Sequence, residues 1–220
     1  MLLRAQQRVA LYALAACLLC ACTGAQQSVT PSLVPTPATT TTWRPSQPLP
    51  RVWMSEDEKE SARIAALDDE RRSYGLPEMQ YPSLVRWVYR EEIASVMVPC
   101  LADKGFVVTA QPSGTGVTGG IPSAQNQAFA LATLACKAMY SIDPRLEAFP
   151  SEAQKELVFD YWSESVIPCV RAHGGTMADL PSRATWLANP LPMEDYPFGN
   201  PKIETACPYN VPSQLWLGEG

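Results

Sequence analysis

Between residues 51 and 220, apolar positions recur at spacings of three and four, and polar caps or Gly and Pro break them into segments. Ser55-Glu56-Asp57-Glu58 has the form of a capping box with acids in the first turn, which predicts a helix to about Tyr74, stopped by Gly75 and Pro77. Only Ile64, Leu67 and a few alanines give that helix an apolar face, so it is expected to be peripheral. Ser83 opens a second segment, where Leu84, Val85, Val88, Ile93, Val96 and Met97 keep helical spacing. Pro99 should kink it and Gly105 end it. Phe106 to Thr109 reads as a short strand, and the Gly-rich stretch 113 to 120 as a loop.

Ser123 caps an Ala-rich helix over about 124 to 140. Its apolar and small residues point several ways, the mark of a buried helix, and Asp143-Pro144 ends it. Ser151 and Gln154 form another capping box, for a helix running to about His173 and Gly174-Gly175. From Asn189 onward Pro and Gly recur so often that irregular chain wrapped on the body is expected. The fold class is therefore mainly α, with short strands and an irregular C-terminal wrap.

The front of the chain follows another pattern. Arg4 and Arg8 precede an uncharged apolar run of 14 residues, Val9 to Cys22. A membrane-crossing helix needs about 20 apolar residues, so the run fits a secretory signal better. Its ending resembles a lipobox, in which a cysteine is lipidated and becomes the mature N-terminus. Cys22 is the expected lipidation site, because cleavage there releases polar Thr23-Gly24. Cys17, after Leu14-Ala15-Ala16, is the alternative, but it would leave Leu18 and Leu19 beside the lipid. Two acyl chains, palmitate or similar, would hold the chain firmly where one would not. Residues 1–22 are thus read as signal peptide, 23–50 as a disordered Thr/Pro-rich stalk, and 51–220 as a single globular domain.

Two segments of that domain align without gaps at an offset of 69: VPCLADKGFVVTAQPS from Val98 and IPCVRAHGGTMADLPS from Ile167. Pro99/Pro168, Cys100/Cys169, Gly105/Gly174, Pro112/Pro181 and Ser113/Ser182 are identical. Each copy has another cysteine downstream, Cys136 after 36 residues and Cys207 after 38. The economical reading is a pair of pseudo-repeats.

Cys100, Cys136, Cys169 and Cys207 form an even set, and an oxidising compartment makes two disulfides the default. Four cysteines allow three pairings. The duplicated unit favours Cys100–Cys136 and Cys169–Cys207. No two of these cysteines have the close spacing of a zinc motif, and the chain has one histidine, so no metal and no cofactor is expected. The net charge of -5 becomes about -7 once Arg4 and Arg8 are removed, with no basic block, which argues against nucleic acid as a partner.

Arg72-Ser-Tyr-Gly-Leu-Pro-Glu78, Val98-Pro-Cys-Leu-Ala-Asp-Lys-Gly-Phe106, Cys136-Lys-Ala-Met-Tyr-Ser-Ile-Asp-Pro-Arg145, Val166-Ile-Pro-Cys-Val170 and Ala206-Cys-Pro208 resemble a group of uncharacterised actinobacterial cell-envelope lipoproteins. The resemblance covers about residues 56 to 215. It implies location and architecture, and transfers no catalytic residue.

Candidates for chemistry are few. Gly114-Thr-Gly-Val-Thr-Gly119 fits GxGxxG by letters, but Pro112 precedes it and Ile121-Pro122 separates it from the next helix, so a plain loop is the better account. His173 at a helix end suits a cap; catalysis would need a nucleophile and an orienting acid, and no G-x-S-x-G occurs. The acidic pairs Asp68-Asp69, Glu91-Glu92 and Glu194-Asp195 read as solvated faces. Trp87 and Trp162 are expected in the core and Trp216 exposed, with Trp186 a further surface candidate. The functional expectation is a membrane-anchored, extracytoplasmic, non-catalytic binding or interaction module. Its partners would be the membrane, through the lipid, and an envelope protein or wall ligand. The alternatives are an envelope hydrolase using His173 and a purely structural wall component.

Overall fold

The computed structural model describes residues 43–190 and 195–220. Cys17, Cys22, the signal run and residues 23–42 of the expected stalk lie outside the described residues. The described chain is mainly helical, with a single two-stranded sheet and two disulfides.

Helix α1 (Glu56–Ser73) begins on the Ser55/Glu58 capping box and ends beside Gly75, whose φ is 61°. Its inward face is not the alanine stripe: Lys59 and Arg63 are buried with Leu67. Arg63 Nη1 donates to the Ala138 carbonyl at 3.0 Å, giving a partner to one of the carbonyls left open at the end of α3 (Asn126–Met139). Charged side chains thus share the docking of α1 with the apolar contacts of Leu67.

The second helix starts later than periodicity predicts. Residues 84–89 are extended, and α2 runs Ile93–Asp103 after a single 3-10 turn at Arg90–Glu92. The reason is tertiary. Val85 N–H donates to Met139 O at 2.8 Å, Val88 N–H to Ser141 O at 2.9 Å, and Asp143 N–H to Val88 O at 3.1 Å. The segment pairs with the chain leaving α3, and Val88 bridges Ile142 in parallel. Glu92 then accepts from the Tyr89 N–H and starts the turn. Pro99 lies within α2 without ending it. The expected strand at 106–109 is shifted: β1 (Thr109–Ala110) pairs antiparallel with β2 (Val117–Thr118), which lies inside the Gly-rich stretch read as a loop, and residues 111–116 make the turn.

Helix α3 opens with a 3-10 turn at Ser123–Gln125 rather than a Ser123 cap, and buries Ala132, Leu134, Cys136 and Ala138. It ends at Tyr140, before Asp143-Pro144, which instead opens a further 3-10 turn. The Ser151/Gln154 box starts α4 (Glu152–Tyr161). A π segment, Trp162–Val166, carries the run into α5 (Ile167–Ala172), with His173 as its C-cap. Pro168 explains the widening, since it has no N–H for the carbonyl four residues back; the Ile167 N–H reaches Trp162 O instead.

The remaining chain is largely irregular from Asn189 onward, as expected, with short helical turns in it. It contains the short helices α6 (Arg183–Ala188), α7 (Pro201–Ala206) and α8 (Ser213–Trp216). Ser182 and Asn200 cap the first two by accepting backbone N–H bonds. It is also held inward. Tyr161 Oη donates to Pro208 O at 2.7 Å, Trp162 Nε1 to Tyr209 O at 3.1 Å, and Gln154 Nε2 to Trp216 O at 3.2 Å.

Among the described residues three apolar clusters form the interior. One surrounds Cys100–Cys136, with Val96, Met97, Leu101 and Val108. A larger one surrounds Cys207, with Tyr161, Trp162, Val170, Trp186 and Leu215. A small one lies between α1 and α3, around Leu67 and Leu134. Residues 43–50, the end of the stretch read as stalk, belong with the body. Trp43 stacks edge-on against Tyr161 at 5.2 Å and donates to Glu164, and Leu49 packs on the larger cluster. The Val52 N–H donates to Leu217 O, and Gly218 (φ 68°) sits so close that a Cβ would meet Leu49 O at 2.6 Å.

Candidate functional site

The most chemically distinctive cluster lies at the end of α5. Cys169 and His173 are four residues apart on one helical turn, so both side chains lie on the same face. Gly174, at φ 81°, then reverses the chain. Gly175 follows with no room for a side chain: a Cβ would lie 2.6 Å from Val170 and 2.9 Å from Ile203. On the opposite side, α7 begins on the Asn200 cap and ends at Cys207, its C-cap. Two helix C-termini thus meet at the Cys169–Cys207 disulfide, Cα atoms 5.7 Å apart.

His173 Nδ1 is 3.7 Å from Cys169 Sγ, 3.6 Å from Cys207 Sγ and 2.9 Å from the Cys169 carbonyl. With the proton on Nδ1, the ring donates to that carbonyl and caps the last turn. Cys169 Sγ also lies 3.4 Å from the Ala206 carbonyl. Cys207 is buried, Cys169 half-buried and His173 exposed. On the Cys207 side, the Tyr196 hydroxyl donates to the Cys207 carbonyl at 2.7 Å. Burial, with the charge of Glu204 nearby, pushes that hydroxyl's pKa up to about 12, so it stays a donor throughout the ordinary pH range.

Among the described residues the other bridge, Cys100–Cys136, has no such neighbour. Lys104 stands at the position matching His173, exposed, and both sulfurs are enclosed, with Cys100 6% and Cys136 0% accessible.

A second feature is a buried ionic seam. Arg145 makes a bidentate pair with Asp143, reaches Glu219 at 2.9 Å and donates to Val52 O at 3.0 Å. Lys59 Nζ lies 3.4 Å from Asp143, and Tyr89 Oη donates to Glu219 at 3.1 Å. Burial alone would raise the Asp143 carboxyl, but hydrogen bonds and charge from Arg145 and Lys59 outweigh it and hold the group below the usual carboxylate range. Glu219 behaves in the same way: burial opposes, while Arg145, Tyr89 and Arg51 prevail. Every partner is matched, so the seam reads as structure, joining α1, the chain after α3 and the C-terminus.

The remaining candidates are placed as follows. Gly114 and Gly116 lie in the hairpin turn and Gly119 just after β2, without a helix N-terminus behind them. Asp68 accepts from Tyr81 and Arg71, and Asp69 pairs with Arg72. Glu91 accepts from the backbone and hydroxyl of Ser213, while Glu92 pairs with Arg86. Asp69 with Arg72 is a solvated surface pair, as expected, whereas Asp68, Glu91 and Glu92 make contacts that join segments or elements. Glu194 lies outside the described residues; Asp195 borders an open cavity of about 410 Å³ with Thr176, Met177 and Ala178.

Among the tryptophans, Trp162 and Trp186 are buried as core. Trp87 is not core: it lies on the extended segment, half-buried, its Nε1 donating to Glu56. Trp216 is 9% accessible, contrary to the expectation of exposure, because Gln154 and the Arg90 guanidinium (5.4 Å from its ring) hold it inward. The exposed large apolar side chains among the described residues are instead Trp53, Tyr74, Val85, Val107, Phe149 and Phe198, of which Val85 is one of the residues expected on a helical apolar face. Phe198 extends an aromatic group with Tyr196 and Tyr209, ring centroids 4.7 Å and 5.2 Å away.

What the sequence reading missed is the meeting of His173 with both sulfurs. The Cys169-x-x-x-His173 spacing on a helix was the available signal; the approach of Cys207 is non-local. Among the described residues no helix is long and apolar enough to cross a membrane. No protein-family model, curated protein or solved structure matches the chain.

Proposed function

We propose that this chain is a lipid-anchored extracytoplasmic protein whose body serves as a non-catalytic binding or interaction module of the cell envelope. The observation that carries the location is the uncharged 14-residue run ending at Cys22, preceded by two arginines. The Cys100–Cys136 and Cys169–Cys207 disulfides support it, because such bridges persist outside the reducing cytosol. A binding role draws support from the exposed aromatic and aliphatic side chains Trp53, Val107, Phe149 and Phe198 on an otherwise acidic body. The hydrolase reading is not carried forward, because His173 is engaged with the Cys169 carbonyl and the two sulfurs rather than with an acid or a hydroxyl.

The test has two arms. The mature N-terminus, isolated from native membranes, is analysed by mass spectrometry, and a diacylglyceryl thioether on Cys22 is expected. Cys22→Ala should move the protein from the membrane to the soluble fraction. An unmodified N-terminus, or a wild-type chain already soluble, ends the anchor reading. Crosslinking in intact cells then tests the binding role: a reproducible partner or wall fragment attached to the body sustains it, and none attached removes it.

A further inference from the structure

We infer that reduction of the Cys169–Cys207 bridge turns the end of α5 into a binding site for one thiophilic divalent cation, zinc(II) in kind, held by both thiolates and the His173 ring. This goes beyond the proposed function and does not rest on it.

The geometry supplies three donors, all within 4.8 Å of one another. Tetrahedral thiolate–zinc bonds of about 2.3 Å require the two sulfurs to part to roughly 3.8 Å. With Cα atoms 5.7 Å apart, side-chain rotation provides that separation and leaves the backbone in place. The framework does not depend on the bridge alone. His173, Gly174 and Gly175 donate back into the last turn of α5. Cys207 donates to Ile203 O at 2.7 Å, and its own carbonyl accepts from Tyr196. His173 exchanges its bond to the Cys169 carbonyl for the metal, using the Nε2–H tautomer if Nδ1 is the ligand. Because His173 is exposed, the fourth position is left to water, an arrangement of three protein ligands and one open site.

Access favours this bridge. Cys169 is half-buried, whereas Cys100 and Cys136 are enclosed among Met97, Leu101 and Val96. The reductant is a dithiol. Its thiolate attacks Cys169 Sγ, the S–S bond breaks, and the electron pair leaves on Cys207 sulfur, which takes a proton from solvent. The second thiol of the reductant resolves the mixed disulfide, freeing Cys169 and closing the reductant's own disulfide. The cation then displaces two thiol protons, which leave to solvent.

The test uses the full chain with Cys17→Ser, Cys20→Ser and Cys22→Ser, so that no other free thiol competes. It is reduced anaerobically with dithiothreitol, desalted and titrated with cobalt(II). Expected are two free thiols per chain, mapped to Cys169 and Cys207, and retained helical circular dichroism. One cobalt per chain should give thiolate-to-metal charge-transfer absorption, absent from the oxidised protein. His173→Ala should weaken binding at least about tenfold and shift the ligand-field bands, with two thiols per chain still freed by reduction. Release of four thiols together, loss of helix on reduction, no charge-transfer band, or a His173→Ala spectrum identical to the parent would each overturn the inference.

Discussion

Gly105 and Gly174 close their helices with the same bonds. Phe106 N–H donates to Leu101 O and Gly175 N–H to Val170 O, both at 2.9 Å, while each Gly donates to the carbonyl three residues back. These are the two bonds of a Schellman cap, at positions matched by the echo, with φ of 86° and 81°. The surroundings differ. Before Gly105 stands an 11-residue helix containing Pro99; before Gly174, Pro168 follows a π segment at the end of a much longer run. After the cap, Phe106 stacks on Phe129, whereas Gly175 leaves its space to Val170 and Ile203. Cys136 sits inside the 14-residue α3, and Cys207 ends the six-residue α7. Cap and bridge are local or pairwise devices and recur unchanged. The elements they fasten answer to separate cores, and these have diverged.

The largest test of this comparison removes one bridge at a time. The closed loops are alike, with separations of 36 and 38, so Cys100→Ser/Cys136→Ser and Cys169→Ser/Cys207→Ser should each cost about 4 kcal/mol in urea unfolding if chain entropy governs. A loss for the first pair well beyond the second would show that enclosure, not loop length, sets its value.

Matched core truncations come next. Leu101→Ala and Val170→Ala remove fully buried side chains at equivalent positions, and unfolding should register about 3 and about 2 kcal/mol respectively. Similar losses would mean the two cores are packed equally well despite their different walls.

Acid should act on neither core but on the seam between them. Asp143 and Glu219 titrate below their ordinary values, so their stabilisation is complete above the unfolded pKa, about 4, and is lost as pH falls through the depressed folded values. Thermal melts should therefore show Tm falling below about pH 4, and Asp143→Asn should flatten that slope while lowering Tm at neutral pH.

The caps offer a finer comparison. Gly105→Ala and Gly174→Ala force a Cβ into the left-handed region at the same place in each copy, and should cost about 1 kcal/mol each by chemical denaturation. Unequal costs would mean that tertiary packing, not the cap, holds one of the two turns. The smallest effect is expected for His173→Ala in the oxidised protein, a few tenths of a kcal/mol, since only an exposed cap bond is lost. The same change matters for metal binding only after reduction.

Several features were legible because they are local. The Ser55/Glu58 and Ser151/Gln154 boxes are three-residue contacts, formed wherever those residues start a helix. The Gly stops need only one residue without a Cβ. The run from Ser151 to His173 was readable as one piece, its π widening hidden because that depends on how Pro168 is accommodated. The late start of α2 was not legible: Leu84 to Tyr89 have helical spacing but find better partners in the carbonyls leaving α3. Nor was the burial of Lys59, Arg63 and Arg145: beside their local carboxylates, each meets a partner from a distant segment, Asp143 for Lys59, the Ala138 carbonyl for Arg63, and Glu219 with the Val52 carbonyl for Arg145.

By itself, then, the order of residues determined the helical class, the capped starts of α1 and α4, the Gly stops, the duplicated Pro-Cys-Gly unit and, through it, which cysteines face each other. Each of these depends on neighbours a few positions away or on a repeat visible in the letters. Tertiary structure alone decided that Trp216 turns inward, that the C-terminal chain becomes part of the core, and that the one histidine rests against a disulfide. Those outcomes turn on which distant carbonyls, charges and cavities a side chain meets once the chain has closed, and no local spacing records them.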